Sequence, residues 1–97
     1  TIVHTFDPMV QWDRQKADAN RLKHGIELAD VVVALVDEFA ITRGDDDADE
    51  ERFVAIGMDG LGRVVVVSYA WRGDDVRLIS ARRATPRERR LYEGRRR

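Results

Sequence analysis

Ninety-seven residues, 43% apolar and 36% charged, describe a single globular domain with a small core. Without cysteine, and without an apolar run of the roughly 18 residues that a membrane span needs, the chain excludes disulfides, thiolate–metal sites and membrane helices. Its net charge of −1 conceals a split, with 5 Lys+Arg against 13 Asp+Glu over residues 1–51 and 12 against 5 over residues 52–97. That split points to an anionic partner for the second half, or to two halves that neutralise each other across the fold.

Residues 1–9 are expected to be an N-terminal extension or an edge strand, with Asp7-Pro8 as a turn, and residues 10–97 to form the domain. No signal-peptide pattern opens the chain, so a cytoplasmic protein with no membrane partner is the expectation. Val10 and Trp12 alternate around Gln11 as a short strand would. Asp13 is a good N-cap for a helix from Arg14 to Lys23 or His24, and Gly25 a good left-handed residue after it. At 100° per residue Lys16, Asn20, Lys23 and His24 fall within an arc of about 100°, leaving Ala17 and Leu22 as the apolar contribution. Such a face can grip phosphate and move a proton. A solvated helix face is the competing reading, and the helix dipole alone accounts for a histidine in the last turn.

Leu28, Val31, Val32, Leu35, Val36 and Phe39 repeat at helical spacing, so the spacing predicts a helix over 27–38 with one continuous buried stripe. The run Val31-Val32-Val33 lowers its propensity, and burial must hold it. Phe39 to Arg43 reads as a short strand. Gly44 to Glu51 has six carboxylates in eight positions and the spacing of neither a Ca²⁺ loop nor a catalytic carboxylate pair, so a solvated loop is expected. Arg52 to Met58 reads as a strand, closed by the glycine-rich connection Asp59-Gly60-Leu61-Gly62.

The stretch from Arg63 to Thr85 reads as one β-hairpin: Val64 to Trp71 outward, Arg72-Gly73-Asp74-Asp75 as the turn, Val76 to Ala81 returning. Arg63, Arg72, Arg77, Arg82 and Arg83 are interleaved with its apolar residues. Arg77 and Arg82 stand an odd number of residues apart, so strict alternation sends them to opposite faces. A bulge near Ser80-Ala81, or a strand end that turns Arg82 back, would reunite them. Otherwise one of the two is structural. Thr85 then serves as N-cap, Pro86 as first helical residue and Glu88 as capping-box partner of a last helix that runs to Gly94, followed by a basic tail. The expected class is α+β: two N-terminal helices, an antiparallel sheet of about four strands and a C-terminal helix.

Trp12-Asp13, Lys16, Asn20, Lys23-His24-Gly25, Glu51-Arg52, Gly57, Arg77-Leu78-Ile79-Ser80-Ala81-Arg82 and Glu88 with Tyr92 together resemble the BrnT family of toxins from type II toxin–antitoxin pairs. The likeness spans Val10 to Glu93. It departs at Glu27, where the family places a Ser, Thr or Asp cap followed by an aromatic, and where Leu28 takes the aromatic's place here.

The resemblance implies a fold like that of RelE-like ribonucleases and an endoribonuclease that inhibits translation. It also implies neutralisation by a cognate BrnA-like antitoxin, whose complex with the toxin would contact operator DNA. Cleavage through the 2′-hydroxyl needs a base, cations around the phosphorane and an acid at the leaving oxygen. His24, Arg63, Arg77 and Arg82 are the expected catalytic residues, and Lys16, Asn20, Lys23, Arg83, Glu88 and Tyr92 the expected substrate contacts. Lys23 is a second candidate proton carrier, with Tyr92 or Glu88 assisting. No metal or other cofactor is expected. The alternatives are a non-nuclease toxin of similar fold that binds a protein such as gyrase, and a basic nucleic-acid-binding module.

Overall fold

The computed structural model describes residues 9–45 and 51–96. In chain order these form β1 (Val10–Gln11), α1 (Arg14–His24), α2 (Leu28–Val31) running into a 3₁₀ turn (Val32–Val36), β2 (Ile41–Asp45), β3 (Arg52–Met58), β4 (Val64–Arg72), β5 (Asp75–Arg83) and α3 (Pro86–Arg96). The Asp7-Pro8 turn, most of the expected N-terminal extension, the core of the acidic loop and Arg97 lie outside the described residues.

The local signals act as their chemistry dictates. Asp13 caps α1 by accepting from the backbone N–H groups of Gln15 (2.7 Å) and Lys16 (3.3 Å), bonds that hold its carboxyl below the ordinary range. Gly25 ends the helix at φ 69°, in the left-handed region. Thr85 and Glu88 close the capping box of α3, with Glu88 N–H to Thr85 Oγ1 at 3.2 Å and Thr85 N–H to Glu88 Oε1 at 2.8 Å. That helix continues through Gly94 to Arg96, two residues beyond the end expected from the sequence.

The expected helix over 27–38 is a single α-helical turn followed by a tighter 3₁₀ segment that stops at Val36. Glu27 occupies its N-cap position and makes no side-chain capping hydrogen bond. The β-branched run makes a poor α-helix, and Asp37 ends it by turning its carboxylate onto the N–H groups of Phe39 and Met58 (2.9 and 3.0 Å). The stripe is therefore not continuous: Leu28, Val31 and Val32 are buried, while Val36 is 61% exposed. On α1, Leu22 likewise faces solvent at 84% exposure, and the helix packs through Ala17 and Asn20 instead.

The sheet has five strands rather than about four, in the order β1-β5-β4-β3-β2. Four are antiparallel neighbours, and β1 adds a short parallel edge, with Val10 and Gln11 opposite Val76 and Arg77. Its two faces bury different cores. Ala55, Val65, Val67, Tyr69, Val76, Leu78 and Ala81 pack against α1, α2 and the 3₁₀ turn. The other face is covered in part by α3, where Ile56 and Val66 meet Tyr92, and Val54, Met58 and Val64 flank them.

Candidate functional site

The register of β4 and β5 resolves the spacing of the two hairpin arginines. Ser68 pairs with Ser80 but Tyr69 with Leu78, so Ile79 is an extra residue on β5. Past this bulge Arg77 lies opposite Ala70 and Arg82 opposite Val66, four residues apart on one strand and therefore on one face. That face is the one α3 covers, since Val66 belongs to the cluster around Tyr92.

Read across the sheet, the same face carries three rows. Asp45, Arg52, Ala70 and Arg77 stand side by side in the first, Arg43, Val54, Ser68 and Ser80 in the second, and Ile41, Ile56, Val66 and Arg82 in the third. The strand rise puts Arg77 and Arg82 about 13 Å apart along the strands. Tyr92 and its neighbours sit over the third row, and the start of α3 reaches over the second, where Val54 flanks the same cluster. A cleft of about 360 Å³, with Arg43, Arg87 and Glu88 among its walls, lies between the start of α3 and this face. The Arg77 Nε is buried with no hydrogen-bond partner among the described residues, an unsatisfied donor that costs free energy. Arg43 and Arg52 are not among the site residues expected from the sequence. Their signal, arginine on an alternate position of a strand, becomes legible only once strand order is known.

Arg82 is engaged. Its Nη1 and Nη2 donate to Glu88 Oε1 and Oε2 at 2.8 and 2.9 Å. The hydrogen bond from Arg82 is the main reason that the Glu88 carboxyl is held at about 2, against the upward push of burial, and the same bond raises Arg82. Glu88 is thus the ion-pair partner of Arg82 rather than a free carboxyl.

A second cleft, about 270 Å³, opens between α1 and the outer edge of β5, lined by Lys16, Ala19, Asn20, Lys23, His24, Ile79 and Ser80. The α1 face expected from the sequence is therefore gathered in one place. Asn20 is its anchored floor: Oδ1 accepts from Ala81 N–H at 2.9 Å, and Nδ2 donates to Ile26 O at 2.9 Å. With both ends of its amide on backbone and 4% exposure, Asn20 ties α1 to β5. Ser80 links the two regions, lying in the second row of the arginine face and in the wall of this cleft.

The remaining expected site residues lie elsewhere. Arg63 is part of the β3–β4 connection, with Nε on Asp59 Oδ2 at 2.7 Å and its backbone N–H on Asp59 Oδ1 at 2.8 Å. That places it seven β4 positions from the residue opposite Arg77, roughly 23 Å away along the strand. Arg83 is exposed and lines a separate cleft with Arg63, Arg89 and Glu93. Tyr92 is 1% exposed, its hydroxyl donated to Asp37. The expected roles of Arg63 as catalyst and of Tyr92 as substrate contact thus meet side chains committed to interior partners. Among the described residues, no three His, Cys, Asp or Glu side chains are grouped as metal ligands would be, and no helix is long and apolar enough to cross a membrane.

Comparison with known proteins bears on this geometry. The family model described as the ribonuclease toxin, BrnT, of type II toxin–antitoxin systems matches residues 12–88. The 1.1 Å crystal structure of the Brucella abortus ribonuclease toxin BrnT is similar, with a TM-score of 0.60 and 25% sequence identity, covering 76% of this chain and 92% of that one. Comparison with curated proteins gives no match.

Proposed function

We propose that this chain, which belongs to the BrnT family of ribonuclease toxins of type II toxin–antitoxin systems, cleaves RNA at the outer edge of β5, around Ser80. The observation that carries this reading is the Ile79 bulge, which sets Arg77 and Arg82 on one face with Ser80 between them and His24 across the same strand edge. In the reaction a base takes the proton from the 2′-hydroxyl, a bond forms between that oxygen and phosphorus, the bond to the 5′-oxygen breaks, and an acid returns a proton to the leaving oxygen. His24 and Lys23 are the proton carriers of this proposal. Arg77 and Arg82 stabilise the charge that builds on the phosphorane, while Arg43, Arg52 and Lys16 hold flanking phosphates.

Guanidinium groups, rather than grouped carboxylates, line the proposed site, and we read the cleavage as metal-independent. Inhibition of translation in the cytoplasm, neutralisation by a BrnA-like antitoxin and operator contact through that complex belong to the same reading, as does a RelE-like classification of the fold. The test is cleavage of single-stranded RNA by the antitoxin-free protein in EDTA. We expect cleavage to persist, and Arg77→Ala to lower it by about 10²–10³-fold with an unchanged melting curve. Activity lost in EDTA and recovered on adding Mg²⁺ would defeat the metal-free mechanism. Wild-type cleavage by Arg77→Ala would remove that arginine from the site.

A further inference from the structure

The Arg82 guanidinium has five N–H donors in one plane, and their use is uneven. The two Nη1 hydrogens go to Glu88 Oε1 at 2.8 Å and to Arg83 O at 3.2 Å, and one Nη2 hydrogen goes to Glu88 Oε2 at 2.9 Å. Nε–H and the second Nη2 hydrogen take part in no hydrogen bond among the described residues. In a planar guanidinium these two point the same way and make a complete second fork, matched to two oxygens of a carboxylate or phosphate.

We infer that Arg82 is shared between two anions: Glu88 grips its outer edge and aims the Nε/Nη2 edge at a phosphate of single-stranded RNA, which makes Glu88 a positioning residue. This deepens the ribonuclease reading and rests on it. Glu88 suits the task because it is itself fixed. It takes the Thr85 N–H at 2.8 Å and gives its own N–H to Thr85 Oγ1, so the fork is bolted to the first turn of α3. A free arginine would have to be ordered by the substrate, whereas this one is ordered by the fold, and preorganised donors are those that lower a barrier. The pair also survives acid, since the Arg82 hydrogen bond keeps Glu88 ionised well below the ordinary carboxylate range. A lysine at position 82 would keep the charge and one contact with Glu88 but offer no second fork.

The experiment combines a titration with two variants. Side-chain Nε–H signals of the ¹⁵N-labelled protein are followed while a non-cleavable 2′-deoxy oligonucleotide is added, the Arg82 signal being assigned by its absence from Arg82→Lys. That signal is expected to shift on binding in the wild type and to shift less in Glu88→Gln. Steady-state cleavage should show kcat reduced by about 10²–10³-fold in Arg82→Lys, with Tm near that of the wild type. Glu88→Gln should lower kcat while leaving KM within about twofold, the mark of an interaction aimed at the transition state. An unmoved Arg82 Nε–H signal overturns the inference whether or not the variants fold. So does wild-type cleavage by Arg82→Lys, an effect of Glu88→Gln on KM alone, or faster cleavage by Glu88→Gln, which would make Glu88 a competitor of phosphate. Wild-type protein that shifts the signal yet never cleaves RNA would defeat the nuclease reading and leave the shared-fork assignment standing.

Discussion

Tyr92 donates its hydroxyl to Asp37, which also accepts the N–H groups of Phe39 and Met58, so one carboxylate joins α3, the end of the 3₁₀ turn and β3. Burial pushes Asp37 up, but these three hydrogen bonds outweigh it and hold the carboxyl below its ordinary value of 3.8. Burial first, then the bond to Asp37, pushes the Tyr92 hydroxyl from 10 up to about 12. The link therefore needs Asp37 ionised and Tyr92 protonated. Its contribution from Tyr92 is complete below pH 10 and is lost as pH rises through about 12. Its contribution from Asp37 is complete above 3.8 and fades as pH falls below that value. Tyr92→Phe is expected to cost about 1–3 kcal/mol, the usual penalty for stripping a buried hydrogen-bond acceptor of its donor, and to flatten the alkaline limb of the stability profile. Urea unfolding across pH 10 to 12 checks this, and an unchanged alkaline limb would show that the hydroxyl carries no such coupling. The sequence could not show that Tyr92 faces inward. Its neighbour Leu91 is 49% exposed, so hydrophobicity favoured the wrong residue of the pair, and the acceptor that draws Tyr92 inside lies 55 residues away. The same limit applies to Asn20, whose backbone partner Ala81 is 61 positions distant, and to Leu22, whose exposure leaves α1 to pack on a buried amide. Arg63 differs, because its partner Asp59 is four residues away and the pairing was within reach of a local reading.

Elements governed by local chemistry were the most legible. Both helix caps, the left-handed Gly25 and the bounds of β3 agree with expectation because each depends on a few neighbouring residues. The 3₁₀ turn, the parallel edge β1 and the exact bulge position depend on partners distant in sequence, and there the reading was approximate: the bulge is at Ile79, next to the expected Ser80-Ala81. Gly57 shows how one residue joins two elements. A Cβ built there would stand 2.6 Å from the backbone oxygen of Ala34, so β3 and the 3₁₀ turn pack backbone to backbone, and Ala34 is fully buried beneath them. The obstacle is a carbonyl rather than a flexible side-chain end, and only separation of the two elements relieves it. Gly57→Ala is expected to destabilise by roughly 1–3 kcal/mol or more, as overpacking does. The loss should appear as a lower denaturant midpoint with an unchanged m-value. A variant as stable as the wild type would mean that the 3₁₀ turn shifts freely and is not pinned by β3. Gly44, with nothing within 4 Å of its would-be Cβ, is the control, and Gly44→Ala should leave the midpoint unmoved.

At the scale of the molecule, the charge split of the sequence becomes a surface with a direction. Arg43, Arg52, Arg77 and Arg82 share the sheet face partly covered by α3, and Arg87 joins Arg43 at the cleft where that helix begins. Of the carboxylates on that face, Glu88 is taken by Arg82, Asp75 accepts from Gln11 at 3.2 Å, and Asp45 stands opposite Arg52 in the register of β2 and β3. Among the described residues this face carries more arginines than carboxylates, which suits an anionic substrate. A family of toxin–antitoxin pairs implies an antitoxin partner, and the simplest way to silence such a site is to cover it. A segment that brings carboxylates to the arginine rows, and apolar side chains to the cleft floored by Ile41, Val54 and Ile56, would do so. Charges at the rim of an interface act mainly on the association rate and are screened over about 8 Å at physiological salt, whereas desolvated apolar anchors govern dissociation. The antitoxin should therefore associate faster as salt is lowered, while its dissociation rate changes little. Stopped-flow association at several ionic strengths measures both. Arg52→Gln, which removes one charge from the first row, should reduce the slope of the association rate against salt. An association rate indifferent to ionic strength would place the antitoxin away from the arginine face, and inhibition would then work by some route other than covering it.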